Sequence, residues 1–400
     1  MKHKQLILAA VAFFGCILTA TAQLAIPSDG SDGALNITED TVIDLSQAVT
    51  GTWDQNNTAN VGKGVYDPEK WAVVFKYSSV NIEGHTTGSP AQLVGRKVTF
   101  KNHPSKAPVV WLVQGNVTVN GILDLRGEGG TSLSPERLTP SSGGPGAFRG
   151  AATGPEGSGS GYGPGGGPPN NEHGVYRGIY GNPQAIPLIG GSGGRADYRS
   201  GAGGGGAILI ASSGQISILG SIDVRGGSVR YNEGTYQGSP GAVRLIASNV
   251  SGTGTIEASQ ETGARGIVRI ETQELSTTLK VYPETIGVPP ANPPILWPAA
   301  NAPKARVVSV DSVNAPLEPT APLIAAADVA IQNNAPVNIL IETRDFPIEG
   351  VVQLSVIPKF SQRSSHTATR ISGDINVATW RVTTTLPQGF VTLQARATQP

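Results

Sequence analysis

Apolar and polar residues alternate with a period of two along most of the chain, and the alternating runs repeat. Four segments align, at 109–127, 207–226, 242–260 and 266–282. Each begins with an apolar strand, passes a polar turn and continues into a second β-rich stretch; in the first three, a glycine corner leads to a third strand. One such unit cannot bury its apolar face alone, whereas stacked units can. The pattern therefore predicts an all-β protein built on a parallel β-helix, or solenoid.

The same spacing continues towards the N-terminus. Apolar triplets at 80–82, 98–100 and 117–119 follow one another at the interval of the repeat. We therefore interpret 80–282 as the solenoid. Because the open end of a solenoid exposes unpaired strand edges, 23–79 is predicted to form its N-terminal cap.

Insertions interrupt the repeat at a single corner, after the third strand of a unit. They span 128–206, 227–241 and 261–265, and the longest is rich in Gly, Pro and Ser. We expect 128–206 to form a Gly-rich flap on one side of the solenoid. The glycines of 203–206 lead directly into a strand, where they would allow backbone to pack closely against backbone.

The pattern changes after the last repeat. Residues 283–304 contain seven prolines, which predicts a stiff polyproline-like linker. Short alternating runs in 305–400 then predict an immunoglobulin-like or fibronectin-like β-sandwich with Trp380 in its core. The predicted strands are 305–313, 323–332, 337–344, 350–357, 366–371, 378–385 and 391–397.

The N-terminus has the pattern of an export signal. A basic start at Lys2 and Lys4 precedes an apolar run at 6–18 and a small-residue cleavage site at 20–22. We predict a signal peptide over 1–22 and export to the periplasm, the outer surface or the extracellular space. The alternative is lipidation at Cys16. No later apolar run is long enough for a membrane helix, so no transmembrane segment is expected in the mature chain.

Composition narrows the possible functions. The chain has 53 Gly and 30 Pro, a formal net charge of +0 and 14% charged residues. The low, balanced charge argues against binding nucleic acid through a basic field. Its one Cys lies in the predicted signal peptide, which leaves no disulfide framework or thiolate metal site. The histidines show no ligand spacing, so no metal or cofactor is assigned.

Several stretches resemble a known group of proteins. These are GGGGAILIASS at 203–213, ILGSIDVRGG at 218–227 and the repeat at 109–127, together with the opening at 27–46. They resemble exported, glycine-rich bacterial proteins with a pectate-lyase-like right-handed parallel β-helix, most of which are uncharacterised. The resemblance covers most of 25–282 and implies fold and export. It carries over no activity.

A carboxylate recurs at one position of the aligned repeats. Asp124, Asp223 and Glu257 are equivalent, and Arg126 and Arg225 follow two residues after the aspartates, on the same strand face. Polysaccharide lyases and hydrolases use such acidic clusters with a nearby base for Ca²⁺ binding or acid–base chemistry. If the chain is an enzyme, Asp124, Asp223, Glu257 and Arg225 are its candidate catalytic residues. The alternative, which we favour, is that each arginine neutralises its neighbour on a solvated face.

Tyrosines and arginines in the insertion are candidate binding residues. Tyrosine can stack on sugar rings, and arginine can pair with uronate or sulfate groups. The alternative is that these side chains attach the insertion to the solenoid. The candidates are Tyr162, Tyr176, Arg177, Tyr180, Arg195, Tyr198 and Arg199.

Two motif matches are attributed to composition. Residues 190–194 match the G-x-S-x-G nucleophile elbow around Ser192, but no strand–turn–helix context surrounds them. Asp29 and Asp32 begin a pattern like a calcium loop that lacks its remaining ligands, which favours a turn.

We therefore expect an exported, non-catalytic solenoid with a structural role or with a polysaccharide or cell-surface component as its partner. The alternative is a polysaccharide lyase or glycoside hydrolase acting on the acidic outer face. A third class, a secreted passenger anchored by its C-terminus, is less favoured because 395–400 show no sorting signal.

Overall fold

The computed structural model describes residues 23–399 with internal gaps. The signal peptide and the cleavage site predicted over 1–22 lie outside the described residues. The internal gaps are at 57, 88–91, 131–139, 155–156, 167–179, 197–198, 232–233, 262, 318–326, 333 and 360–362. The chain is all-β, with parallel sheets in its N-terminal three-quarters and antiparallel sheets in the remainder. No helix among the described residues is long and apolar enough to cross a membrane.

The described residues of the N-terminal part form 26 strands and two short 3-10 helices, Leu45–Gln47 and Thr58–Asn60. The strands are β1 (Ala34–Ile37), β2 (Thr41–Asp44), β3 (Val49–Thr50), β4 (Val65–Asp67), β5 (Ala72–Tyr77), β6 (Ser79–Ile82), β7 (Gly84–Thr87), β8 (Gln92–Gly95), β9 (Lys97–Lys101), β10 (Val109–Val113), β11 (Val117–Val119), β12 (Ile122–Asp124), β13 (Thr153–Gly154), β14 (Gly157–Ser158), β15 (Ala207–Ser212), β16 (Gln215–Ile218), β17 (Ser221–Asp223), β18 (Ser228–Tyr231), β19 (Gly234–Gln237), β20 (Ala242–Ile246), β21 (Asn249–Ser251), β22 (Thr255–Glu257), β23 (Ile267–Glu271), β24 (Glu274–Leu275), β25 (Lys280–Tyr282) and β26 (Gly287–Val288).

Three large sheets contain 20 of these strands, and the chain visits them in rotation; the other six form the antiparallel pairs β7–β8, β13–β14 and β18–β19. Sheet A has the order β1-β6-β11-β16-β21-β24, and sheet B the order β2-β9-β12-β17-β22-β25. Sheet C has the order β26-β23-β20-β15-β10-β5-β4-β3. Each return to a sheet adds a strand beside the previous one, parallel throughout sheets A and B. We call this arrangement the three-sheet stack.

Alternating residues of the three sheets fill one continuous core. In sheet B, Val98, Leu123, Ile222, Ile256 and Val281 lie opposite one another on successive strands. All five are at most 8% exposed and belong to the same buried cluster. Each inward side chain thus packs on the equivalent side chain of the next strand, about 4.8 Å away.

The stack begins earlier than the sequence predicts. The strands β1 and β2, within the predicted cap at 23–79, already belong to sheets A and B. The triplets 80–82 and 117–119 lie in sheet A, whereas 98–100 lies in sheet B. The three triplets are equally spaced in the sequence but do not lie in the same sheet. The reason is that the hairpin β7–β8 is inserted between the sheet A strand β6 and the sheet B strand β9.

The proline-rich segment packs on the stack and is not an isolated linker. Its strand β26 extends sheet C. Leu296 is 8% exposed in a cluster with Leu24 and Ile26 on the outer face of sheet C, and Trp297 lies 5.5 Å from Trp53 between ring centroids. Apolar residues between the prolines thus attach the segment to the sheet, which composition alone did not indicate.

In the C-terminal part, the residues that the structure describes form eight strands in two antiparallel sheets. They are β27 (Lys304–Val310), β28 (Val313–Asn314), β29 (Val337–Arg344), β30 (Val351–Pro358), β31 (Ser364–Thr367), β32 (Thr369–Gly373), β33 (Val377–Thr384) and β34 (Val391–Thr398). The sheets have the orders β28-β27-β29-β33-β32 and β31-β30-β34. They share one core that includes Trp380, whose Nε1 donates to Thr343 Oγ1 at 2.9 Å. The strand predicted at 323–332 is absent over its described part, 327–332.

Candidate functional site

The glycine-rich insertion forms an ordered bundle of extended segments. Its described parts, 127–130, 141–151, 159–166, 188–194 and 200–206, join through backbone hydrogen bonds and not through a sheet. Gly191 N donates to Gly205 O at 2.8 Å, and Gly203 N donates to Glu128 O at 2.9 Å. Residues 226–228 and 237–241 join the same network. We call this assembly the glycine bundle.

Close approach explains why the bundle is made of glycine. A Cβ on Gly193 would lie 1.8 Å from Arg149 O, and one on Gly205 would lie 1.8 Å from Val224 O. Neither glycine has a φ in the left-handed region, so backbone conformation does not require it. The interior of the collagen triple helix is packed in the same way, because only Gly fits where its extended chains meet. The insertion is thus a second, backbone-packed layer, in place of a loose flap.

Tyr162 and Tyr180, two of the predicted binding residues, contact the glycine bundle. Tyr162 is 4% exposed, with Arg149 Cζ lying 4.8 Å from its ring centroid. The Tyr180 hydroxyl donates to Gly190 O at 2.8 Å, and burial raises the pKa of Tyr180 to about 12. The Tyr162 ring is buried, whereas Tyr180 is half-buried. Both hold the glycine bundle together, which is the alternative that the sequence left open.

The other candidates of the insertion divide into two groups. Arg195 and Arg199 are half-buried and interact with neighbouring groups. Tyr176, Arg177 and Tyr198 lie outside the described residues. Of the predicted binding set, the structure therefore describes only Tyr162, Tyr180, Arg195 and Arg199.

The glycine bundle also contacts the C-terminal sheets. Tyr162 packs against Ile357 and Phe148. The Arg363 guanidinium donates to Gly163 O at 2.7 Å, and Arg363 N donates to Ser160 Oγ at 3.2 Å. The bundle thus connects the parallel and antiparallel parts of the chain.

The structure does bring the repeated carboxylates together. Asp124, Asp223 and Glu257 lie opposite one another on β12, β17 and β22. Their inward neighbours Leu123 and Ile222 are fully buried, which directs the carboxylates to the outer face of sheet B. Parallel strands are about 4.8 Å apart, so the three carboxylates form a short row.

Basic side chains neutralise this row. Arg126 donates to Asp124 through Nε at 3.0 Å and Nη2 at 2.9 Å, and Lys97 Nζ lies 2.7 Å from Asp124 Oδ2. Arg225 donates in the same two-pronged way to Asp223, with Nη2 at 2.6 Å. Arg126 Nε also lies 3.6 Å from Asp223 Oδ2, which links the two pairs. We call these five residues the charge ladder.

Ion pairing fixes the ionisation state of Asp124. Burial alone would raise the pKa of this carboxyl, but hydrogen bonds from Arg126 and Lys97 outweigh it and lower the pKa to about 2. The carboxylate is therefore charged at any physiological pH and has no proton to donate. A general acid needs a pKa near the working pH, so Asp124 does not suit that role.

A groove of about 770 Å³ lies between the charge ladder and the glycine bundle. Its floor includes Asp124, Arg126 and β9, and Glu128 together with Gly127, Gly129 and the glycines at 143–144 and 226–227 forms its other wall. Lys101 and Lys106 also line it, and both side chains are exposed. The groove therefore offers backbone amides and carbonyls together with charged side chains of both signs, Lys101, Lys106 and Arg126 against Asp124 and Glu128, which suits a hydroxylated ligand.

Sequence reasoning missed the lysines of this groove. Lys97 and Lys101 face outward because Val98 between them is fully buried in the core. The alternation in β9, whose sequence is KVTFK, indicates that both lysines face outward once 98–100 is placed in sheet B. Lys106 sits in a turn with a φ of 58°, which no repeat pattern indicated.

The two weak motifs have structural roles. Ser192 is fully buried and its Oγ accepts from Gly165 N at 3.0 Å, so it is not an exposed nucleophile. Asp29 pairs with Lys76 Nζ at 3.0 Å, and Asp32 accepts from Lys76 N at 2.7 Å. Within the described ranges, no group of three or more His, Cys, Asp or Glu side chains is arranged to hold a metal ion.

The chain matches no known family model, no curated protein and no solved structure. Its function must therefore be argued from the groove, the charge ladder and the glycine bundle.

Proposed function

We propose that the chain is an exported, non-catalytic parallel β-helix that binds a polysaccharide or another cell-surface component. The rotation of the chain through sheets A, B and C supports the β-helix. The two antiparallel sheets with a shared core support an immunoglobulin-like or fibronectin-like sandwich, which would act as a spacer or second binding module. The sequence pattern of 1–22 supports export.

The observation that carries the proposal is the pairing of Asp124 and Asp223. Both carboxylates are less than 10% exposed, and each is held by an arginine two residues away. General acid catalysis needs a carboxyl that holds a proton near neutral pH, and the lowered pKa of Asp124 does not suit that role. Carboxylates with permanent cationic partners instead stabilise the face on which they lie.

The ligand site in this proposal is the groove beside the charge ladder. Pockets of 300–1,000 Å³ are typical of small ligands or short segments of a polymer. Among the described residues, this groove is lined by glycine backbone, by Lys101, Lys106 and Arg126, and by the carboxylates of Asp124 and Glu128, with Phe100 as its one aromatic residue. Hydrogen bonding and charge, more than apolar contact, would hold a ligand here.

A glycan array followed by calorimetry tests the proposal. We expect the purified protein to bind at least one polysaccharide or surface glycan, and the variant Lys106→Ala to weaken that binding. Lys63→Ala is the matched control, because Lys63 is also exposed and does not line the groove. Absence of glycan and cell-surface binding would contradict the proposal.

The alternative proposal is a polysaccharide lyase or glycoside hydrolase. The in-register row of Asp124, Asp223 and Glu257 is the observation in its favour. A reducing-sugar assay on uronate polymers distinguishes the two. Turnover that is lost in Asp223→Ala while the protein stays folded would replace the binding function by the enzyme.

A further inference from the structure

Both ends of the three-sheet stack expose strand edges. At one end β24, β25 and β26 are the last strands of sheets A, B and C; at the other end β1, β2 and β3 are the last. No strand in the described part of the chain pairs with the outer edges of these six. An uncovered edge is a template for pairing with another chain.

Large apolar side chains are exposed at these two ends. Tyr282 on β25 is 44% exposed and Ile286 is 79% exposed at the C-terminal end of the stack. Val42 on β2 is 64% exposed at the N-terminal end. A groove of about 760 Å³ lies along the C-terminal end, with Leu275, Val281 and Tyr282 among its lining residues.

The register shows that these residues belong to the same rows. Val42 lies opposite Thr99, and the row continues through the ladder carboxylates to Glu257 and Tyr282. Val42 and Tyr282 are therefore the first and last members of one outward-facing row. If a second copy continued sheet B, its strand β2 would lie one strand spacing beyond β25 of the first copy. Val42 of the second copy would then lie against Tyr282 of the first.

Sheet A has a matching inward-facing row. It begins at Leu35, continues through Val80, Val117, Ile216 and Val250, and ends at Leu275. Every member is apolar, and the two end members are only partly buried. Leu35 of an added copy would cover Leu275 just as each strand covers the previous one.

Charge complements this register. Lys280 is the last member of a sheet B row that runs back through Thr255 and Ser221 to Lys97. At the other end of this row, the Lys97 backbone N donates to Asp40 Oδ1 at 2.9 Å. Asp40 and Lys280 are both exposed. In the added copy, Asp40 would lie next to Lys280 of the first.

We propose that this protein assembles head to tail, with the C-terminal end of one three-sheet stack pairing with the N-terminal end of a second copy. Sheets A and B would continue in parallel from copy to copy. Such a contact joins two different surfaces, so it does not close on itself and can extend into a filament. The inference is independent of the proposed ligand, since the groove lies on the side of the stack.

Sedimentation velocity over a range of protein concentrations tests the assembly. We expect end-to-end multimers whose population rises with concentration, and their loss in Tyr282→Asp. Leu317→Asp is the matched control, because Leu317 is 81% exposed in the C-terminal part and outside the proposed contact. A wild-type protein that stays monomeric up to its solubility limit would overturn the proposal, as would multimers that persist in Tyr282→Asp.

Charge reversal gives a second test that does not depend on the stability of one variant. Asp40→Lys and Lys280→Glu should each weaken assembly, since each places like charges against each other. The double variant, or a mixture of the two single variants, should restore it. Restoration identifies the two ends as partners, whereas equal loss in single and double variants would contradict the head-to-tail register.

Discussion

The three-sheet stack and the glycine bundle satisfy their backbone groups in similar ways but fill space by opposite means. In the stack, parallel strands are about 4.8 Å apart, and buried side chains such as Trp111, Leu123 and Ile210 occupy the interior. In the bundle, segments join through backbone hydrogen bonds, and backbone atoms themselves fill the space between them. Side-chain packing is therefore not the only route to an ordered layer.

The comparison changes the meaning of glycine in this chain. Glycine loses more conformational freedom on folding than any other residue, so a glycine-rich segment normally favours disorder. Here that cost is offset by hydrogen bonds between neighbouring segments and by attachment to the stack. Gly205, for example, donates to Ser239 O at 2.9 Å and contacts the Val224 carbonyl.

The largest expected effect is on the side-chain core. Leu123→Ala removes a fully buried side chain between Val98 and Ile222 and should lower the free energy of unfolding by about 4 kcal/mol. Leu219→Ala is the control, because Leu219 is 42% exposed and should change stability by less than about 0.5 kcal/mol. Chemical denaturation measures both. Equal effects would mean that the stack is not held by its core.

A slightly smaller effect is expected when a methyl group enters the glycine bundle. In Gly193→Ala the new Cβ meets the Arg149 carbonyl, so the segments must move apart, at a cost of about 3 kcal/mol. Gly263→Ala meets nothing within 4 Å but has a φ of +86°, so it should cost only about 1 kcal/mol. If both variants melt alike, close backbone packing is not what requires glycine.

The smallest effect concerns the charge ladder between the two regions. The pKa of Asp124 is lowered to about 2 in the folded chain from 3.8, so its stabilisation is present above about pH 4 and is lost as the pH falls through 2. Because Arg126 and Lys97 are 45% and 38% exposed, solvent screening reduces this to about 1 kcal/mol.

The stability difference between wild type and Asp124→Asn, measured at several pH values, checks this expectation. It should be about 1 kcal/mol at pH 6 and shrink towards pH 2. Asp374→Asn serves as a comparison in the C-terminal part, since Asp374 has a lowered pKa without an ion pair among its causes. A difference that is independent of pH would show that charge on Asp124 does not stabilise the stack.

The sequence predicts the all-β class because alternation is local, and it predicts the parallel strands because the aligned units repeat. The row of Asp124, Asp223 and Glu257 was also predictable, since aligned repeats place equivalent residues on neighbouring strands. The groove was not, because Lys106 and the glycine wall come from outside the repeat. Likewise, nothing local in Tyr162 shows that it lies buried against Ile357, almost two hundred positions later.

Amide hydrogen exchange of the glycine bundle tests the central claim most directly. In the structure, the amides of Gly203, Gly204 and Gly205 donate backbone hydrogen bonds to Glu128, Phe148 and Ser239. A peptide covering 200–206 should therefore exchange as slowly as one from the adjacent strand β15. Complete exchange of 200–206 at the first time point, with β15 still protected, would show that the insertion is an open loop and would contradict the account.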